Sequence, residues 1–454
     1  MRRNFLASLH CPYSGSPLLV SKVAREAGEQ IDYGIVSSEA GDFPILEGIL
    51  RLQVDEYRAP IVEHVRAKRL SEALTIALDD APFHGRGGSA INFASRLAFR
   101  TGFNSAGEQL NRFKRSLVRV VTDRDATFME IAEKLSSNGS ADWQIARFSM
   151  PTFLPVFSLL HIVSAEDFIL DFGCGTGQAS FLISRMWPNA KLVGADYSFC
   201  ALYVAKKYFA PKASYVCLDG NYLLPFESGG FSTVFSSDTL HCIDSKLGLV
   251  QEFRRVGREK AITILPHLHN RLASPYAKSL TPGGYRWLFQ GLETRIIPEQ
   301  EVIRNYFFDD VLDLGRDWCD EELADSEQGL SIVVSSDLSV FKRREGLWDH
   351  RIRSFRHPCI NPAYRLAGQP GNWELTRRMS DRYVKTFTHL DKICLPDTYR
   401  VATRSVDTAG LVELQQSDLA QFKRLAKALL VHDLPERFIA QSHGNDRLHA
   451  RAAI

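Results

Sequence analysis

The chain has 454 residues, 45% of them hydrophobic, enough for roughly two to four domains and a sizeable core. Its 55 Lys and Arg against 53 Asp and Glu leave a formal charge of +2, so no overall positive excess points to a nucleic-acid backbone as partner, although a local basic groove stays possible. Eight scattered cysteines with no CxxC pair exclude a disulfide scaffold and suggest free thiols in a reducing, cytoplasmic setting.

The opening stretch, MRRNFLASLHCPYSGSPLLV, pairs Arg2-Arg3 with Phe5-Leu6 in the manner of a twin-arginine export signal. The apolar run is short and is broken by His10, Cys11 and Pro12, which argues against export. Residues 1–55 read as a compact unit of short hairpins, because brief apolar runs alternate with Gly, Pro and Ser. From 56 to 165 the pattern turns helical: Leu110, Phe113, Leu117, Val120 and Val121 recur at three- and four-residue steps. DDAPFHGRGGSA interrupts this region as a loop. MPTFLPVFSLLHIV, from Met150, is too short and too rich in proline to span a bilayer and is expected to be a buried helix.

Between 166 and 342, apolar runs such as DFILDFG, AKLVGAD, ASYVCLD, FSTVFSSD and KAITILP alternate with helical stretches. That alternation argues for parallel strands joined by crossover helices. LSIVVSSDLSVF, from Leu330, is expected to be a late strand closing the sheet. The remainder, 343–454, reads as an α+β extension, with GQPGNWELTRRM as a hairpin and SDLAQFKRLAKALL as a capped helix.

The most informative stretch is FILDFGCGTGQASFLISRMWPNAKLVGADYS, from Phe168. With a strand before it and a helix after it, the turn of Gly173, Gly175 and Gly177 lets backbone N–H groups approach a ligand with no Cβ in the way. Such a turn at the carboxyl edge of a parallel sheet is a nucleotide-binding position. Asp196 ends the next apolar run about twenty residues on, where a carboxylate can accept from both ribose hydroxyls. Together these features point to an adenosine-containing ligand.

The spacing, with Asp171 inside the strand, resembles the class I S-adenosylmethionine-dependent methyltransferases. DFGCGTG resembles their first motif, VGADYS the second, CLDGNYLLPF the third and FSTVFSSDTLHCI the fourth strand. The resemblance implies an α/β, Rossmann-like sheet with helices on both faces, carrying a small N-terminal β-rich domain, a helical insertion and a C-terminal α+β extension. It implies S-adenosyl-L-methionine as cofactor, with Gly173, Gly175 and Gly177 beside its methionyl part, Asp196 on the ribose and Tyr197 on the adenine face. Asp219 would accept from the adenine amino group, the Gly220 N–H would meet a ring nitrogen, and Asp171 would orient the turn or reach the ammonium. Taken alone, Asp219 before a loop is as readily a turn residue, and Cys174 is a small residue tolerated in the turn.

Methyl transfer from a sulfonium is an in-line displacement, so alignment and exclusion of water come first, and a base is needed only for an un-ionised acceptor. His241, in SDTLHCI, is the first candidate for that base. His267 and His269, in ILPHLHN, and Arg147, in DWQIARFSM, are candidates for contact with the acceptor. Each also has a structural reading, since a single loop histidine or an aromatic stripe such as Trp143, Phe148 and Phe153 most often serves the core. LHCPYSGSPLLV and FPILEGILRL resemble a Trm112-like domain, in degenerate form. Only Cys11 of its cysteines persists, with Ser14 at the second position, so no metal is expected, because a closed zinc site takes four ligands.

The expectation is therefore a methyltransferase acting on a small or medium metabolite at O, N or C, with no membrane span. An RNA methyltransferase and a non-catalytic cofactor-binding regulatory or assembly protein are the alternatives, and a nicotinamide-dependent oxidoreductase is the most remote.

Overall fold

The computed structural model describes residues 1–79, 119, 121–123, 125–135, 144–274, 276, 278–378 and 395–439. The helical positions Leu110, Phe113, Leu117 and Val120, the residue Trp143, and the DDAPFHGRGGSA loop from Asp80 onward lie outside the described residues.

Twelve strands set the frame of the site: β1 (Leu19–Ala27), β2 (Gln30–Ser38), β3 (Gly41–Leu46), β4 (Ile49–Arg51), β5 (Phe168–Phe172), β6 (Lys191–Asp196), β7 (Ser214–Cys217), β8 (Phe231–Phe235), β9 (Gly257–His269), β10 (Glu293–Pro298), β11 (Val311–Asp313) and β12 (Gly329–Ser335). All but β11 join one sheet in the order β1-β2-β3-β4-β7-β6-β5-β8-β9-β12-β10. From β4 through β9 the neighbours run parallel, and β12 then lies antiparallel between β9 and β10. The order reverses at β5, whose neighbours are β6 on one side and β8 on the other. That reversal leaves a crevice beyond the carboxyl end of β5, where open α/β sheets bind ligands.

Local sequence explains the central strands. In β5, Ile169 faces one hydrophobic cluster while Leu170 and Phe172 face the other, so both faces are covered and the segment reads as a continuous apolar run. Asp171 breaks that run and is nonetheless buried. Helix Gln178–Met186 follows β5, helix Phe199–Val204 follows β6, and helix Lys246–Val256 joins β8 to β9. These are the crossovers that parallel pairing requires.

The expected Rossmann-like α/β architecture is present, and the N-terminal hairpins are continuous with it. β4 pairs in parallel with β7 through Ile49–Tyr215, Leu50–Val216 and Arg51–Cys217, so β1–β4 extend the central sheet. The segment from Pro151 to Ile162 forms two 3₁₀ turns around a short helix, Leu154–Leu159, that is buried throughout. The late strand is β12, and it enters the sheet between β9 and β10. Tyr364–Gln369 and Asn372–Arg377 form the expected hairpin, and Asp418 caps helix Leu419–Lys427. The C-terminal region returns to the segment before β5: His432 Nε2 lies 2.8 Å from Ser149 Oγ, to which Asn361 also donates. No helix among the described residues is long and apolar enough to cross a membrane.

Candidate active site

One flank of the crevice is the glycine turn. Gly173, Gly175 and Gly177 have φ of +69°, +52° and +89°, left-handed conformations that a Cβ disfavours. The three differ in surroundings. A Cβ on Gly173 would lie 2.2 Å from Thr239 Oγ1 and one on Gly177 2.7 Å from the Ala205 Cβ, whereas Gly175 has no atom within 4 Å of that position. The turn is therefore clamped at both ends and open in the middle. The N–H groups of Gly173 and Cys174 both donate to the Ala195 carbonyl, continuing the β5–β6 pairing into the turn.

Asp196, at the tip of β6, receives the Gly175 N–H on Oδ2 and the Ser198 N–H on Oδ1, each at 2.8 Å. It fixes the open middle of the turn. Tyr197 beside it is 48% exposed. Asp219 accepts from the Asn221 backbone and side-chain amides, so the turn reading of this residue holds in the structure alongside its place at the crevice. Gly220 packs against Phe172, where a Cβ would come within 2.5 Å of the ring. Asp171 lies beneath the turn and receives the Ser180 hydroxyl at 2.5 Å. Burial pushes its carboxyl up to about 7, with the Ser180 bond pulling it down and Asp196 adding to the rise. Burial likewise raises the Cys174 thiol well above its ordinary value, which suits a packing residue and not a nucleophile.

The opposite flank collects residues from distant segments. After β8 the chain turns through Asp238, a non-glycine residue with φ of +57°, into a 3₁₀ turn, Leu240–Cys242, that carries His241. β9 bulges at Pro266–His267, where its register against β12 shifts, and His267 has φ of +56°. The bulge brings the His267 and His269 rings to 5.1 Å centroid separation, and the His241 ring meets His269 at 4.5 Å. Arg147, buried in the turn Arg147–Ser149, donates to Asp238 Oδ2 at 3.0 Å and to Thr152 Oγ1 at 2.8 Å. His267 Nδ1 lies 2.8 Å from Glu299 Oε2, and Glu299 is fully buried at the start of helix Glu299–Arg304.

The electrostatics of this flank are set by competition. Burial alone would lower the pKa of His267, but the carboxylates of Glu299 and Asp238 outweigh it and hold the ring above its ordinary value. Burial alone would raise Asp238, yet His267, Arg147 and His241 hold it low. His241, with less compensation, is pushed down by burial to about 3 and is neutral at pH 7. The Nδ1 atom of His241 is buried without a hydrogen-bond partner.

The structure thus brings His241, His267, His269 and Arg147 into one cluster, facing the turn that carries the glycines. Thr239 joins the two flanks, packing on Gly173 and donating to its carbonyl at 3.3 Å. Sequence reasoning did not single out Asp238, Glu299, Thr239 or Gln53. Gln53 donates to the Tyr197 carbonyl at 2.7 Å, so the N-terminal extension reaches the rim of the crevice. Asp238 had a usable signal, a carboxylate three residues past a buried strand and three before a histidine. Glu299 had none, since an acid at a helix start reads as dipole compensation.

Residues 169–260 match the family model described as a methyltransferase domain, and this segment carries the crevice at the carboxyl end of β5. With the sheet order above, the matched segment has a Rossmann-like fold. More particularly, the chain is similar to a malonyl-[acyl-carrier protein] O-methyltransferase of Legionella pneumophila, 30% identical over 131 residues, 28% of this chain and 45% of that one. It is also similar to the trans-aconitate 2-methyltransferase of an Escherichia coli strain, 36% identical over 63 residues, 13% of this chain and 25% of that one. Among solved structures, a SAM-dependent methyltransferase from Aquifex aeolicus aligns with a TM-score of 0.32 at 15% identity, covering 43% of this chain and 97% of that one. The chain spans less than half the length of the curated relatives it matches.

Proposed function

We propose that the chain is an S-adenosylmethionine-dependent methyltransferase acting on a small or medium metabolite, with the acceptor atom O, N or C left open. The observation that carries the reading is the open Gly175 position held by Asp196 beside an exposed Tyr197, within the segment that matches a methyltransferase domain. The site suits this cofactor chemically: it offers backbone N–H groups, carboxylates and an aromatic face to a ligand that carries a sulfonium and an ammonium. When bound, that cofactor supplies an electrophilic methyl group.

In this reading Asp196 holds the ribose hydroxyls, Tyr197 covers the adenine, and Asp219 with the Gly220 N–H reads the adenine edge. Gly173, Gly175 and Gly177 give the methionyl part its room, and Asp171 fixes the turn through the helix that follows. The helical segment around Arg147 closes the acceptor side, and His241, His267 and His269 face the incoming acceptor. The relatives named for malonyl-acyl-carrier protein and trans-aconitate support an acidic metabolite as acceptor. The N-terminal strands serve as a degenerate Trm112-like platform whose Gln53 braces the cofactor rim.

Calorimetric titration with S-adenosylmethionine tests the reading. Saturable binding by the full chain, weakened in Asp196→Ala, is expected. No binding, or equal binding by that variant, overturns it.

A further inference from the structure

The acceptor flank holds more ligating groups than a proton-transfer site needs. Asp238 spends Oδ2 on Arg147, which turns Oδ1 toward His241 Nε2 at 3.6 Å and His267 Nε2 at 3.8 Å. These separations are too long for hydrogen bonds. They are close to those of ligand atoms that share one ion, which lie about 3.0–3.4 Å apart when each is about 2.0–2.2 Å from the metal. One ligand atom each from Asp238, His267 and His269 lies within 4.8 Å of the others.

The outward nitrogens are already engaged. His267 Nδ1 pairs with Glu299 Oε2 at 2.8 Å, and His269 Nδ1 lies 3.2 Å from Ser274 Oγ. Engaging Nδ1 outward leaves Nε2 for the cluster, and such outer partners orient the imidazoles of metal sites. His241 lies beside the cluster, its Nε2 3.6 Å from the same Asp238 oxygen and its ring edge-on to His269 at 4.5 Å.

We propose that Asp238, His267 and His269 hold one divalent first-row transition-metal ion. Imidazole with carboxylate and no thiolate suits Zn²⁺, Fe²⁺, Mn²⁺ and their neighbours. Arg147 and Glu299 are positioning residues, one fixing the Asp238 carboxylate and the other the His267 tautomer. An ion with a further coordination position would take an anionic oxygen of the acceptor. His267 and His269 share one segment, but Asp238 joins them from the end of another strand, so no local spacing marks the three as a set. The proposal does not depend on the methyl-donor reading.

The test uses the full untagged chain, stripped with a chelator and loaded with Zn²⁺ or Co²⁺. Bound metal is counted by mass spectrometry and the Co²⁺ visible spectrum recorded. One ion per chain is expected, with affinity about 10- to 100-fold weaker in His269→Ala, His267→Gln and Glu299→Gln. Circular dichroism checks that each variant is folded, and if one is not, the Co²⁺ spectrum of the unaltered chain decides. A chain that retains no metal overturns the proposal and leaves an Arg147–Asp238–His267–Glu299 ion-pair cluster. Equal occupancy in the folded variants, or a thiolate charge-transfer band, overturns it as well. S-adenosylmethionine titrations on the same samples separate the two readings: donor binding without metal sinks only this proposal, and metal binding without donor sinks only the functional one.

Discussion

The two flanks of the crevice are built in opposite ways. The glycine flank comes from one stretch of chain, Phe168 to Ser198, and its geometry is set by backbone: three left-handed glycines, a strand-end carboxylate and the N–H groups that bind it. The histidine flank comes from four separate segments, around residues 147, 238–241, 267–269 and 299, and its geometry is set by side-chain charge. The first resists change at single atoms, because all three glycines are left-handed and a Cβ on Gly173 or Gly177 would also meet a neighbour. The second resists change of charge, because each buried group is compensated by another.

The largest effect should fall on the charged flank. Arg147→Met leaves Asp238 without its buried cation, and breaking such a pair costs about 3–5 kcal/mol, nearer the lower figure here because Asp238 is partly exposed. Chemical denaturation measures the loss, while donor affinity should hold if the flanks are independent. A parallel fall in donor affinity would show that they are one unit.

The glycine flank gives a graded pair. Gly173→Ala meets both a positive φ and the Thr239 side chain and should cost at least about 2 kcal/mol, whereas Gly175→Ala meets only the backbone penalty of about 1–2 kcal/mol. Thermal melts should rank them in that order, with Gly175→Ala weakening donor binding despite its milder melt because it fills the open position. Asp196→Ala removes an acceptor of two backbone N–H bonds and should cost about 1–3 kcal/mol in donor affinity, up to roughly a hundredfold.

The remaining effect is one of pH. Asp171 is raised from 3.8 to about 7 by burial, so its neutral form is favoured in the folded chain and its contribution to stability is lost as pH rises between those values. Asp171→Asn removes that dependence. The difference in melting temperature between variant and unaltered chain should move in the variant's favour from pH 4 to 7 and then level off, measured without cofactor. A constant difference would place the Asp171 carboxyl at an ordinary pKa.

The glycine flank was legible because backbone requirements leave a mark at fixed spacing: only glycine tolerates the turn, and the acid at the end of the next strand follows at a set distance. The alternation of apolar runs with helices likewise announced the parallel sheet, since fully covered strands have no polar face to show. The attachment of β4 to β7 was not legible, because a three-residue strand, Ile-Leu-Arg, carries no mark of its partner. The histidine flank was legible only as separate candidates, His241, His267, His269 and Arg147, and not in the way they meet Asp238 and Glu299. Each of its histidines is ordinary in its own segment, and Arg147 reads as part of an aromatic helix.

The sequence by itself thus determined the parallel centre of the sheet, the turn and the kind of ligand that the turn suits, because these follow from rules acting over a few tens of residues. Only the tertiary structure decided which charged groups meet. Arg147, Asp238, His267 and Glu299 are held together by the return of β12 between β9 and β10 and by the bulge in β9. Electrostatic partnership depends on distance through space, and nothing in the local order of residues encodes it.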